Sequence, residues 1–164
     1  MKLEVVKLID CQSDADIASL VAFSAEHWRE YGPWSEAYFR TDERFPLKLE
    51  LSSVLIDTNR AVRGVFIVSK QKEKYYPDAG SEFLYIHKVV IDSELRGRSC
   101  DSADTAEGVE LEERITIDGR SLFGSLWDSA IQDASEKYGL SSQVLSVEPE
   151  NLKAIGIYLS LIHI

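Results

Sequence analysis

Residues 82–99, with the sequence EFLYIHKVVIDSELRGRS, decide the fold. The part 82–92 is apolar and rich in β-branched residues, and it predicts the strongest strand of the chain. The turn Arg96-Gly97-Arg98-Ser99 follows it and leads toward a helix. A strand, a tight turn and a helix N-terminus direct backbone N–H groups at one place, which favours binding of phosphate or pyrophosphate. An ordinary surface turn is the alternative interpretation of this short motif.

The sequence on either side of this stretch alternates between helical and extended patterns. Apolar residues at helical spacing and short β-branched runs separated by turn residues carry these predictions. In the first half they predict a strand over 2–9, a helix capped at 13–16 and ending near 32–33, a less regular helical stretch over 34–51 broken near Pro46, a β-hairpin of 54–56 with 62–69, and either a protruding loop or the tip of a longer hairpin over 70–80. In the second half they predict an amphipathic helix over 122–138 stopped by Gly139, a strand over 144–147 and a short helix opening at 149–151. This order predicts a mixed α/β (α+β) fold with a largely antiparallel central sheet flanked by helices.

Composition narrows the classes of partner. The chain has 164 residues, which suits one domain, and a net charge of −10. An acidic surface repels phosphate backbones and anionic lipid, so we expect neither nucleic acid nor membrane as partner. No run approaches the roughly 18 apolar residues of a membrane span, and residues 1–10 do not form a secretory leader, so we expect a cytoplasmic protein. The two cysteines and three scattered histidines predict reduced thiols and no metal site.

Two motifs in the right order carry a family resemblance. Residues 91–99 (IDSELRGRS) resemble the acetyl-CoA-binding motif of the GNAT N-acetyltransferase superfamily, in which a strand and a V-D-P-E-Y-like turn precede R-G-x-G-x-G/A and a helix. Residues 145–158 (LSVEPENLKAIGIY) resemble the later L-x-V…N…A-I-x-L-Y motif of that superfamily. The resemblance spans essentially the whole chain. It implies one GNAT-like domain over 1–164 that transfers acetyl from acetyl-CoA, as co-substrate, to a small-molecule or peptide amine.

The resemblance also implies roles for individual residues. The backbone of Val89, Val90 and Ile91 would lie along the pantetheine arm, and Asn151 would contact the same arm. The amides of Arg96, Gly97, Arg98 and Ser99, with the helix start at Gly124, would hold the pyrophosphate. Tyr158 matches the tyrosine that protonates the leaving thiolate. A phenol of pKa about 10 can donate to a thiolate whose thiol has a pKa of about 8.5 or above. A core tyrosine is the alternative for Tyr158.

The residue that accepts the proton of the amine is left open between His87 and Glu82. Tyr85 and His87 are two residues apart and share one face of a regular strand, whereas Glu82 lies on the other face. The ordinary pKa of histidine suits a base near neutral pH. A packed, hydrogen-bonded histidine is the alternative, and a chain of water molecules ending on either residue would serve as well.

The acceptor amine would lie beside the opening helices. Aromatic and acidic side chains alternate there and suit a cationic amine through cation–π and charge pairing. A core stripe of aromatic residues with solvated acids is the alternative. The residues are Trp28, Tyr31, Trp34, Tyr38, Phe39, Glu26, Glu30 and Glu36.

The sequence departs from the family pattern in the cofactor loop. Residues 100–121 form an acidic insertion, and Gly-Arg-Ser occurs on both sides of it, at 97–99 and at 119–121. Either copy could form the loop at the helix start. The insertion could be a lid, a small hairpin near 109–117 or a gene-level artefact. Ser99 stands where the family has glycine, and Phe123 where it has glycine or alanine.

The end of the chain departs as well. In the family two further strands follow the helix that carries the tyrosine, so we expect these last strands to be missing. The residues 159–164 (LSLIHI) resemble a translated sequencing adapter and are interpreted as a non-native tail, with a genuine apolar terminus as the alternative. Missing strands would expose a sheet edge and favour a homodimer. Two competing hypotheses are a non-catalytic acyl-CoA-binding or sensing module of this fold and a plain α/β interaction domain.

Overall fold

A computed structural model describes residues 2–27, 34–72, 82–95, 116–146 and 149–162. Its strands are β1 (Leu3–Lys7), β2 (Ser53–Asp57), β3 (Val62–Lys72), β4 (Glu82–Ile91), β5 (Thr116–Ile117), β6 (Arg120–Ser121) and β7 (Gln143–Leu145). Its α-helices are α1 (Asp14–His27), α2 (Glu36–Arg40), α3 (Lys48–Leu51), α4 (Leu122–Tyr138) and α5 (Leu152–Ile162), and a 3₁₀ turn covers Leu8–Asp10.

The central sheet has the strand order β1-β2-β3-β4-β7. The first four strands pair antiparallel, and β7 pairs parallel to β4. The turn between β2 and β3 closes because the Asp57 carboxylate accepts N–H bonds from Asn59 (2.9 Å) and Ala61 (3.0 Å). The predicted hairpin and the predicted mixed, mostly antiparallel sheet are therefore confirmed.

Two helical layers cover the two faces of the sheet. Successive side chains of a strand point to opposite faces, so strands buried on both sides read as continuous apolar runs. Phe66 and Leu84 face α4, where Leu126 and Ala130 are fully buried. On the opposite face Val54, Ile56, Val65 and Ile67 pack against α1 and α2 through Ile17, Leu20 and Phe39.

Helix α4 has the ends that its sequence predicts. The Ser121 hydroxyl accepts the N–H of Gly124 at 3.0 Å and so caps the first turn. Gly139 adopts the left-handed conformation (φ 66°) that ends many helices, and the Leu140 N–H then bonds to the carbonyl of Ala134 at 3.0 Å. The predicted helix over 122–138 is confirmed at both ends.

Several element boundaries differ from the predicted ones. The opening strand ends at Lys7, and β3 continues to Lys72 instead of ending at 69. The stretch 34–51 forms two short helices because Pro46 and the left-handed Leu47 (φ 61°) separate them. The insertion contributes the short hairpin β5–β6, and residues 96–115 lie outside the described residues, as do 73–81. In the described part of the chain no helix is long and apolar enough to cross a membrane.

Candidate functional site

Strands β4 and β7 pair over only part of their length. The ladder joins Leu84, Tyr85 and Ile86 to β7 residues 143–145, and among the described residues it ends there. Strand β4 continues for five residues to Ile91, and Val89 and Ile91 pack against the core on the α4 side while Val90 packs on the other. The segment predicted to lie along the cofactor arm is therefore the part of β4 that extends past the β7 ladder.

A β-bulge lies at His87. The pairing of β3 with β4 passes from Ile67 opposite Lys88 to Val68 opposite Ile86, so His87 is the extra residue. A bulge re-aims a side chain out of the regular alternation. Here the imidazole Nε2 lies 2.6 Å from the Ser69 hydroxyl oxygen, and the ring contacts the rings of Phe45 (centroids 4.6 Å apart) and Tyr85 (4.9 Å). No pattern in the sequence indicates the contacts of His87 with Ser69 and Phe45.

The two candidate bases sit in different surroundings. Burial, with a smaller contribution from the nearby Lys48 cation, lowers the pKa of His87 to about 4, so the imidazole is neutral at neutral pH. Glu82 lies at the start of β4, pairs opposite Lys72 and forms an ion pair with Lys70 at 3.4 Å. Five residues of strand separate it from His87 by about 16 Å. The Glu82 carboxylate and the His87 imidazole therefore lie apart in the structure.

Tyr158 lies beside the start of α4. Its ring centroid is 6.2 Å from that of Phe123, which in turn stacks on Trp127 at 6.0 Å. Burial raises the pKa of the Tyr158 phenol, which keeps the hydroxyl protonated at neutral pH. A protonated phenol is the state that can donate a proton.

Asn151 has a structural role that the motif comparison did not reveal. Its side-chain oxygen accepts the N–H of Ala154 at 3.1 Å, and its carbonyl accepts the N–H of Ile155 at 3.1 Å. These bonds cap the first turn of α5, the helix that carries Tyr158. Asn151 thus fixes where that helix begins.

The second Gly-Arg-Ser copy, residues 119–121, forms the start of α4. Asp118 (φ 49°) and Gly119 (φ 79°) are both left-handed and turn the chain from β5 into β6, and Ser121 then caps the helix. The Arg120 guanidinium forms an ion pair at 2.7 Å with Asp128, almost two turns into the helix. Residues 96–99, the first copy, lie outside the described residues. Arg120 therefore lies at the start of α4. The second occurrence of Gly-Arg-Ser is the one feature of the sequence that could have indicated this position.

The aromatic side chains near the opening helices surround a cation of the chain itself. The Lys48 ammonium lies 4.1 Å from the centre of the Tyr38 ring, donates to the Tyr38 carbonyl and is 2% exposed. Trp34 packs on Tyr38 with ring centroids 4.3 Å apart, and Phe39 is buried in the core. The alternative of an aromatic core stripe describes these residues better than an open cage for an external amine, while Trp28, Tyr31 and Glu30 lie outside the described residues.

The two helical glycines Gly124 and Gly156 differ in the space around them, which gives a testable difference between their alanine variants. A Cβ at Gly124 would lie 3.0 Å from the Ser121 hydroxyl, whereas a Cβ at Gly156 in α5 would have no neighbour within 4 Å. Replacing glycine by alanine within a helix ordinarily adds up to about 1 kcal/mol of stability. We expect Gly156→Ala to raise the free energy of unfolding by about that amount. We expect Gly124→Ala to gain nothing, because the cap must shift; equal gains in urea unfolding would contradict this packing.

Comparisons with known proteins bear on the fold. No protein-family model matches the chain, and no curated protein sequence matches it. Three solved structures share the fold over 98% of this chain: the NatC complex bound to Gag peptide and CoA (TM-score 0.64, 17% identity, 84% of that chain covered), NAA60 of Arabidopsis thaliana with a bisubstrate analogue (0.63, 12%, 82%), and the enzyme AAC(6')-Iy with the bisubstrate analogue CoA-S-monomethyl-acetylneamine (0.62, 10%, 90%). The chain therefore has the GNAT acetyltransferase fold, as the resemblance of its motifs implies.

Proposed function

We propose that this protein is an acetyl-CoA-dependent N-acetyltransferase that acts on a primary amine by direct attack. The observation that carries the proposal is the fold, shared over nearly the whole chain with proteins whose solved complexes hold CoA or a CoA conjugate. The proposal is further supported by the position of a protonated phenol, Tyr158, beside the start of α4.

The residues at the start of α4 suit an anionic cofactor group. Gly124 leaves the first turn without a Cβ, the helix N-terminus carries partial positive charge, and the Arg120 guanidinium, which is paired with Asp128, lies beside Gly124. We propose that these groups, together with Arg96, Gly97, Arg98 and Ser99, hold the pyrophosphate of acetyl-CoA. Val89, Val90 and Ile91 would lie along its pantetheine arm, past the end of the β7 ladder.

The chemistry assigns a proton donor and a proton acceptor to the chain. Acetyl-CoA supplies the acetyl group as a thioester: the amine nitrogen forms the new C–N bond as the C–S bond breaks. The amine gives up one proton and the departing thiolate takes one. Tyr158 would donate the second proton, because its burial keeps the phenol protonated until the thiolate forms. The amine proton would pass to His87 or Glu82, directly or through water.

The acceptor is a small-molecule or peptide amine in this proposal. The proteins of similar fold include one bound to a Gag peptide and one bound to an acetylneamine conjugate, so both classes of amine occur among them. A useful panel of amines therefore contains a short peptide with a free N-terminus, an aminoglycoside and a polyamine.

Thermal unfolding with and without acetyl-CoA tests the proposal. A ligand that binds only the folded state raises the free energy of unfolding by about 2.7 kcal/mol at a hundredfold excess over Kd. We expect acetyl-CoA and CoA to raise the Tm and ADP to raise it less, and we expect amine-dependent release of CoA thiol with at least one amine of the panel. A shift without thiol release would favour the non-catalytic acyl-CoA-binding module. A cooperative unfolding transition whose Tm neither acetyl-CoA nor CoA raises would overturn the proposal.

A further inference from the structure

We infer that Gln71 and Ser69 form a hydrogen-bond chain that fixes His87 as the neutral tautomer with its proton on Nδ1. The imidazole then serves as a hydrogen-bond donor and does not accept the amine proton. The second statement depends on the proposed acetyl transfer, whereas the tautomer follows from the hydrogen-bond chain and from the surroundings of the ring.

The hydrogen-bond chain runs across two neighbouring strands. On β3, the Gln71 side-chain amide donates to the Ser69 hydroxyl oxygen at 3.0 Å. On β4, the bulged His87 places Nε2 only 2.6 Å from the same oxygen. Ser69 is fully buried, so its hydroxyl is shielded from water and depends on these side chains for its bonds.

Counting protons gives the direction of each bond. A serine hydroxyl has one proton to donate and two lone pairs to accept with. Gln71 donates to this oxygen, and among the described residues the hydroxyl has no acceptor within hydrogen-bond distance other than His87 Nε2, so the buried serine proton goes to that nitrogen. Nε2 must then carry a lone pair, and a neutral imidazole that accepts at Nε2 has its single proton on Nδ1.

The surroundings of His87 favour the neutral ring. The groups that face it are the Lys48 cation, the Tyr85 and Phe45 rings and the Ser69 hydroxyl. Neither ring supplies a negative charge, and burial together with Lys48 disfavours an imidazolium. A second proton on the ring is therefore opposed by its surroundings.

This arrangement leaves no ring nitrogen suited to act as base. Nδ1 already carries a proton, and the lone pair of Nε2 is engaged by a buried hydroxyl that an external amine cannot reach. Ser69 and Gln71 are positioning residues that act through His87. Of the two candidate acceptors of the amine proton, the exposed Glu82, reached through water, is then the one that remains.

Nitrogen-15 NMR of the histidine side chains tests the tautomer without any substrate. We expect the His87 signals, assigned by their loss in His87→Asn, to show a pyridine-like Nε2 and a pyrrole-like Nδ1. The variant Gln71→Glu should exchange the two, because a carboxylate has no proton to donate. The serine proton then turns to the carboxylate, and Oγ accepts from Nε2–H. Gln143→Glu adds the same charge at an exposed position of β7 and should leave the tautomer unchanged.

A pyrrole-like Nε2 in the wild-type protein would overturn the inference, as would an unchanged tautomer in folded Gln71→Glu. Kinetics test the second statement once an acceptor amine is found. The asparagine amide nitrogen can take the place of Nδ1–H but cannot act as base, so His87→Asn should keep kcat within about tenfold and His87→Leu should lose more. Equal losses of about 10²- to 10⁴-fold in both variants would assign His87 as the base. If no amine is acetylated, the proposed function fails while the NMR result still decides the tautomer.

Discussion

Replacing Tyr158 by phenylalanine is expected to lower kcat for amine acetylation about a hundredfold, at the lower end of the range for loss of a general acid or base. The substitution removes only the hydroxyl, and the ring keeps its contact with Phe123. Without a donor the thiolate must leave unprotonated or take its proton from water. Since the ring stays in place, we expect the Tm to change little, and initial rates of CoA release at saturating acetyl-CoA are the measurement.

Tyr138→Phe is the matched control for this prediction. Tyr138 lies at the far end of α4, and its hydroxyl donates to the Glu50 carboxylate. Losing that partly exposed bond should lower the stability only slightly and leave kcat unchanged. A Tyr158→Phe enzyme with wild-type kcat would show that the tyrosine is a packing residue and that water or another group protonates the thiolate.

The free energy of unfolding is expected to fall by about 3 kcal/mol more in the wild-type protein than in His87→Asn as the pH drops from 7 to 4. The pKa of His87 is about 4 in the folded chain and about 6.5 in the unfolded chain. Between these values the unfolded state binds more protons, so stability is complete above pH 6.5 and is lost as the pH falls. Asparagine at this position has no such titration.

Urea unfolding of both proteins at a series of pH values between 7 and 4 measures this difference. The titrations of carboxylates such as Asp16, whose pKa is lowered by its hydrogen bonds to Arg60, occur in both proteins and cancel in the comparison. Parallel stability curves would mean that the imidazole ionises in the folded protein as easily as in the unfolded one. Lys48→Met, which removes the cation beside the ring, should raise the pKa of His87 in NMR titrations.

The two experiments test independent parts of the candidate site, Tyr158 and His87. Tyr158→Phe reports on acetyl transfer and requires turnover, whereas the pH dependence of His87 requires only a folded chain. If the stability of the wild-type protein falls with pH as expected while Tyr158→Phe keeps the wild-type kcat, the burial of His87 is supported and the donor role of Tyr158 is discarded.

The sequence by itself determined the secondary elements whose patterns are local. Apolar residues at helical spacing and a following glycine set both ends of α4, and the Asp57 turn between β-branched runs set the β2–β3 hairpin. The motif residues around β4 and α5 then indicated the GNAT fold that the comparisons support. Hydrophobic periodicity and turn chemistry act over a few residues, so a single sequence displays them directly.

Only the tertiary structure decided the electrostatics of the candidate site. The bulge at His87, its bond to Ser69 and the placement of Lys48 over Tyr38 join residues that are 10 to 18 positions apart or lie on different strands. The structure also decided which Gly-Arg-Ser copy caps α4 and that Asn151 caps α5. Burial depends on which distant segments pack together, and it is this packing that lowers the pKa of His87 to about 4 and keeps its imidazole neutral.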